Sequence, residues 1–222
     1  MINQNPQVDV DAVNQLNLPA AETLKLEYEK GYMYRGIRYS RKVPLYRKTW
    51  VQDQRSKWAE GHNGHLIGQW WPERLCALRD RAHGELQRGI CGQTGVGAVS
   101  IYMGTGYENR DNGDEIEYCG DGGDGLTLMD LSLERGTLIR VLRAADAGSA
   151  WAPAVGVRYD GLYKIVGKEE MAKEEGKKQN YRYKLLRCEN QKPFPFQGED
   201  SRPTMEEKAE FMEMKPWEAH RH

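Results

Sequence analysis

The sequence predicts an α+β fold: a curved, mostly antiparallel sheet bent into a partial β-barrel, with short flanking helices. Three observations support this. Glycine supplies 24 of 222 residues, well above the usual ~7%, which favours many turns over long helices. Five short stretches alternate polar and apolar residues with the period of a half-buried strand. Helical patterns are few, and each stops at a glycine or a proline.

In chain order, Pro19 opens a helical pattern through Ala20, Leu24 and Tyr28 that Gly31 closes. Residues 58–68, rich in Gly, His and Asn, read as a loop, and the domain boundary is placed there. Pro72 and Glu73 begin a helix carrying Leu75 and Leu78 that ends near Gly84. Strands are expected over 98–103, 114–119, 137–143, 162–166 and 181–187, where β-formers alternate. Between them, residues 126–133 form a helical turn that Gly136 terminates. Thr204 with Glu207 three residues on is a capping box for a last helix, with Pro216 as its stop. The division is an arm over 1–65, a sheet domain over 66–198 and a tail over 199–222.

Mean hydropathy is low at -0.81, but 12 Tyr, 6 Trp and 3 Phe can furnish a core. No apolar run approaches the ~20 residues of a membrane span. The N-terminus lacks a basic patch followed by an apolar stretch, so a soluble intracellular protein without a secretory signal is expected. The four cysteines, Cys76, Cys91, Cys119 and Cys188, lie far apart. That excludes the paired spacing of a zinc ribbon or finger and points to reduced, structural thiols.

The net charge of -1 hides uneven blocks. Between Gly31 and Trp58 stand eight bases and one acid, Asp53, interleaved with Tyr32, Tyr34, Tyr39 and Tyr46. Within that block Arg35, Arg38, Arg41, Lys42, Arg47 and Lys48 are the expected contacts to phosphates, which basic side chains neutralise with release of counterions. Arg140 and Arg143, alternating with apolar neighbours on a strand, are a second supply. From Tyr107 to Glu134 there are nine acids and one base, Arg110.

Catalytic patterns are sparse. His62 and His65 form an H-x-x-H without the helix and glutamate of a metalloprotease motif. The acidic turns over 111–114 and 121–124 miss the ligand spacing of a calcium loop. No phosphate-binding loop, dinucleotide fingerprint or G-x-S-x-G occurs, so no metal, cofactor or enzymatic activity is expected.

One stretch is specific. Arg158-Tyr159-Asp160-Gly161-Leu162-Tyr163-Lys164-Ile165-Val166 resembles the signature of the SRA, or YDG, domain. Other motifs agree in order: Ile67-Gly68-Gln69-Trp70-Trp71, Arg88-Gly89-Ile90-Cys91-Gly92, Gly106-Tyr107-Glu108, Tyr118-Cys119-Gly120 and Arg140-Val141-Leu142-Arg143. The resemblance spans about residues 66–195 and implies an SRA-like, PUA-like partial barrel. It implies a nuclear reader of modified cytosine in double-stranded DNA that flips the base into a pocket. A flipped base loses stacking worth a few kcal/mol, which the pocket must return through the ring face and the polar edge. Tyr107 and Tyr118 match the family's two stacking positions, with Gly106 and Cys119 beside them. Asn109 is the expected acceptor for the cytosine amine, with Asp111 as the fallback. Gln87 and Arg88 match a loop near DNA. The rival reading is a module without base recognition that acts as a scaffold for chromatin proteins.

Overall fold

A computed structural model describes residues 32–35, 37–40, 43–46, 54–106, 108–120, 124–171, 181–194 and 201–214. The expected helix over 19–31 lies outside these residues, as do Arg41, Lys42, Arg47, Lys48 and Tyr107.

A hairpin comes first, β1 (Ile37–Ser40) against β2 (Val43–Tyr46), with Ser40 opposite Val43 at its tip. The remaining strands are β3 (Trp70–Trp71), β4 (Ile90–Gln93), β5 (Gly97–Met103), β6 (Arg110–Asp111), β7 (Glu115–Gly120), β8 (Leu138–Ala144), β9 (Val157–Glu170) and β10 (Tyr181–Arg187). They form one sheet in the order β4-β5-β8-β9-β10-β7-β6, with β3 on β9. Every pairing is antiparallel except β5 with β8. The expected α+β class with a mostly antiparallel, unclosed sheet is what the chain adopts. Register shifts at Arg140/Leu142 and Lys184/Leu185 mark bulges, which bend the long strands.

The central strand explains the layering. All seven residues of β8 are buried, because both faces of the sheet are covered. Ile139 and Val141 face a core with Ile101, Ile116, Tyr118, Tyr163 and Tyr183, capped by α2 (Asp124–Arg135) through Met129. Leu142 and Ala144 face a second core with Trp71, Val157 and Tyr159, covered by α1 (Arg74–Arg79) through Leu75 and Leu78. Gly136 at φ 72° ends α2, and its N–H returns to the Ser132 carbonyl at 2.9 Å.

The same alternation sends one buried arginine into each core, which corrects their expected role at phosphates. Arg143 and Arg140 are both 0% exposed. Arg140 donates to the carbonyls of Gly61 at 2.7 Å, Ala59 at 2.6 Å and Ala82 at 3.2 Å. Those first two carbonyls belong to residues 58–68, the loop in which the sequence places the domain boundary. Residues 61–65 instead pack inside the unit: the His62 ring bonds the Tyr159 hydroxyl at 2.7 Å, and His65 Nδ1 meets Gln69 Oε1 at 3.0 Å. The boundary placed before Leu66 therefore cuts through packed structure.

The tail is also docked. In α3 (Met205–Met214) the capping box forms as drawn, with Thr204 N–H on Glu207 at 2.8 Å and Glu207 N–H on Thr204 Oγ1 at 3.3 Å. Arg202 pairs with the buried Glu207, and Phe211 packs edge-on against Trp70 at 6.3 Å. No described helix is long and apolar enough to cross a membrane.

Burial, reinforced by Arg55 and Arg140, lowers the His65 imidazole to about 3. In the unfolded chain it takes a proton at the ordinary 6.5, so protons favour unfolding once pH falls below 6.5. Stability should therefore drop by roughly 1.4 kcal/mol per pH unit on account of His65 alone. Urea melts at stepped pH check this, and His65→Gln should flatten the decline. An unchanged slope in that variant refutes the assignment.

Candidate nucleic-acid interface

The hairpin of β6 and β7 builds the site. Its register sets Arg110 against Glu117 and Asp111 against Ile116. Side chains alternate across a strand and opposed residues share a face. Arg110 therefore points outward, 64% exposed, to Glu117 at 3.2 Å. Asp111 points inward with Ile116. Asn109 directly precedes β6 and is held to β7 by its side chain, whose Oδ1 accepts from the Cys119 N–H at 2.8 Å.

Asp111 departs from its expected role as a base acceptor because its oxygens are engaged inside. Oδ1 accepts from Arg143 Nη2 at 2.8 Å and Gly113 N–H at 3.1 Å. Oδ2 accepts from Arg143 Nε at 2.8 Å and Ser149 Oγ at 2.6 Å. Burial pushes this carboxyl up, but the Arg143 bonds and charge outweigh it and hold the pKa below the ordinary value. The turn is clamped further at Gly113, whose carbonyl accepts from Arg143 at 2.6 Å and Tyr163 Oη at 2.8 Å. Gly113 sits at φ 79° under the Trp151 ring, where a Cβ would come within 3.0 Å. Asp111 thus holds the turn of the hairpin in place.

Tyr118 is 3% exposed and belongs to the core. A Cβ on Gly89 would collide with its hydroxyl, which is why the Arg88-Gly89-Ile90 loop needs glycine there. Cys119 follows, its backbone N–H on Asn109 Oδ1 at 2.8 Å and its thiol on the Glu108 carbonyl at 3.3 Å. Gly106, at φ 112°, has open space where a side chain would be.

Sequence reasoning missed Arg74. Its guanidinium lies 4.0 Å over the Tyr102 ring and bonds the main-chain oxygens of Glu85, at 3.2 Å, and Arg88. His83 Nε2–H donates to the Arg88 carbonyl at 3.0 Å, leaving Nδ1 to accept from Ser100 Oγ at 2.9 Å. These bonds give the 84–88 loop a fixed root below an exposed tip of Leu86, Gln87 and Arg88. An arginine on a short helix carried no local signal for this.

The basic arm is only partly described. Arg35 bonds Asp80 Oδ1 at 2.7 Å, and the carbonyls of Met33 and Arg35 accept from buried Arg79 at 3.0 and 2.7 Å. Arg35 is therefore a clamp between arm and domain. Arg38 lies on β1 opposite Leu45. The His62/His65 pair faces inward, and no cluster of three metal-ligating side chains occurs among the described residues.

The family model of the SAD/SRA domain matches residues 59–191. The E3 ubiquitin-protein ligase ORTHRUS 1 of Arabidopsis thaliana is 32% identical over 159 residues, covering 62% of this chain and 26% of that protein. A UHRF1-like protein of Cryptococcus neoformans is 31% identical over 166 residues, covering 60% and 48%. The match thus spans about a quarter of the ORTHRUS relative and about half of the fungal one. Among solved structures, the modification-dependent TagI restriction endonuclease aligns with TM-score 0.53 at 30% identity, covering 61% of this chain and 54% of that one. The SUVH5 SRA domain in complex with methylated CHH DNA aligns with TM-score 0.51 at 25% identity, covering 61% and 97%.

Proposed function

Since the chain belongs to the SAD/SRA family through residues 59–191, we propose that it binds double-stranded DNA in the nucleus and reads modified cytosine without catalysing a reaction. The base leaves the stack and enters a pocket bounded by Tyr107, Tyr118, Asn109, Cys119 and Gly106. One observation carries this reading: a polar amide, Asn109, is held against β7 by the Cys119 N–H at 2.8 Å, next along the strand from the buried aromatic Tyr118, at the end of a clamped hairpin. An aromatic face and a polar edge are what a flipped base requires. The SUVH5 SRA domain, solved with methylated DNA, supports the ligand class. The exposed Gln87 and Arg88 stand on the loop whose root, Gly89, touches Tyr118, so they approach the duplex beside the pocket.

Titration with unmodified, hemimethylated and fully methylated duplexes tests the proposal. Tighter binding of a methylated duplex is expected. Binding of all three alike refutes base reading, and no binding at low salt leaves the module as a scaffold for chromatin proteins.

Phosphate contacts from the arm are a separate part of the proposal. Arg38, Arg41, Lys42, Arg47 and Lys48 supply them, and Arg35 holds the arm to the domain. Neutralising Arg41 and Lys42 together should lower the salt slope of binding by about two units, since each phosphate contact contributes about 0.9. Methyl preference should persist, because phosphate contacts position the protein without reading the base. An unchanged slope in a salt series would place the DNA surface elsewhere.

A further inference from the structure

The chain leaves the domain at Arg35 and returns at Arg55, and both ends meet one residue, Asp80, just past α1. At the outgoing end Arg35 Nη2 donates to Asp80 Oδ1 at 2.7 Å. There Arg79 Nη1 also donates to the carbonyls of Met33 at 3.0 Å and Arg35 at 2.7 Å. At the returning end Arg55 Nη2 donates to the Asp80 carbonyl at 3.2 Å. The anchor itself is buried, with Arg79 1% and Asp80 4% exposed. Arg79 meets both carboxylate oxygens, at 2.7 and 2.9 Å, and Trp71 Nε1 donates to Oδ2 at 3.0 Å. Asp80 therefore ties both roots of residues 36–54 to the core around Trp71.

The stretch between the roots is basic. Residues 37–53 carry Arg38, Arg41, Lys42, Arg47 and Lys48 against a single acid, Asp53. With the whole chain at -1, the remainder is net acidic. An acidic body repels a polyanion, so attraction to phosphates has to come from this stretch. Among the described residues, the β1–β2 hairpin pairs with no strand of the main sheet. The two residues between its paired Ser40 and Val43 are Arg41 and Lys42. A two-stranded hairpin alone is at best marginally stable in water. It gains from a fixed root and from a surface to lie on. All of it precedes residues 59–191, the span that the SAD/SRA model matches.

We infer that residues 36–54 are a basic finger, closed at its roots, that holds the phosphate backbone of duplex DNA, and that Asp80 is the positioning residue that aims it. This rests on the DNA-binding part of the proposal above and not on base reading. A finger pinned at both roots has already lost the freedom that a loose strap would surrender on binding, which favours the complex.

Three variants of the full chain test this. In the first, a six-residue Gly/Ser linker, which spans up to about 20 Å, replaces residues 37–53. Because the roots already meet at Asp80, it should fold with an unchanged urea midpoint. Its affinity for methylated and unmodified duplexes should fall together, and the salt slope should drop by about 2–4.5 units, at about 0.9 per lost phosphate contact. Asp80→Asn keeps every base of the arm but loosens the outgoing root. Its affinity for both duplexes should fall about fivefold through lost pre-organisation, with the salt slope and the methyl ratio unchanged. Trypsin should cut after the finger bases several-fold faster. Should Asp80→Asn fail to fold, Arg35→Gln carries the same test from a side chain 39% exposed. Loss of folding or an unchanged salt slope in the linker variant overturns the inference. So does unchanged affinity or unchanged trypsin cutting in the root variant that folds, or a methyl ratio altered by any of the three. Equal binding of all duplexes by the unaltered protein would refute base reading and leave the finger standing, whereas no binding at low salt defeats both.

Discussion

Asp160→Asn is expected to cost about 3–5 kcal/mol of folding stability, the loss typical of breaking a buried ion cluster from one side. Asp160 is 0% exposed and stands between two arginines that are equally buried. Its Oδ1 accepts from Arg158 Nε, and its Oδ2 accepts from Arg143 Nη1 at 2.8 Å and Arg158 Nη2 at 3.0 Å. An asparagine fills the same space but removes the charge and turns one acceptor into a donor. Arg143 would keep Asp111. Arg158 would lose this carboxylate while keeping its bonds to the main-chain oxygens of Trp151 at 2.6 Å and Arg202 at 3.4 Å. A buried guanidinium deprived of the carboxylate it bonds twice is the costly state. Urea unfolding at neutral pH measures the change, and a loss below about 1 kcal/mol would contradict it. The exposed pair supplies the contrast: Arg110→Ala, which breaks the contact to Glu117, should change stability by less than about 1 kcal/mol.

That cluster also shows where the sequence could and could not be read. Strands over 98–103, 114–119, 137–143 and 181–187 announced themselves because β-formers alternate there. The first half of β9 did not, since Arg158, Asp160 and Gly161 look like a polar turn. Their charges cancel inside, against a partner 17 residues away in Arg143. Charge in a sequence carries no sign of which face it will occupy. So Arg140 and Arg143 read as a second supply of phosphate contacts, and Asp111 as a fallback acceptor for a base, although all three bond inside the fold.

The same limit applies to residues 61–65. Gly, His and Asn in a row suggest solvent, but Arg140 draws their carbonyls inward and Tyr159 takes His62. The β1–β2 hairpin was hidden behind basic residues and Pro44, and β4 behind two glycines. Gly92 in β4 has its own steric reason, as a Cβ there would strike the Gly97 carbonyl. In the candidate site, motif order brought Asn109, Tyr118 and Cys119 into view. Only the folded partners separate the three neighbours: Asn109 holds Cys119, Arg110 pairs with Glu117, and Asp111 pairs with Arg143.

Tyr107→Ala is expected to remove most discrimination between methylated and unmodified DNA, at about 1–3 kcal/mol, or roughly 5- to 150-fold in relative affinity. In the proposal Tyr118 and Tyr107 are the two stacking positions for the base. With one face gone, the unstacking cost of the flipped base is no longer returned. Tyr107 is the better probe of the two. Tyr118 packs with Ile116 and Tyr183 in the core, and removing its ring should cost about 3–5 kcal/mol of stability, confounding any binding result. Tyr118→Phe avoids this: it keeps the ring, loses only the hydroxyl that presses on Gly89, and should retain methyl preference. Residual binding by Tyr107→Ala should keep the salt slope of the unaltered protein, because phosphate contacts are untouched. Parallel titrations of methylated and unmodified duplexes, with a urea melt of each variant, separate pocket from core. Full methyl preference in Tyr107→Ala would eliminate the two-tyrosine pocket, and a large loss of stability in that variant would move Tyr107 into the core instead.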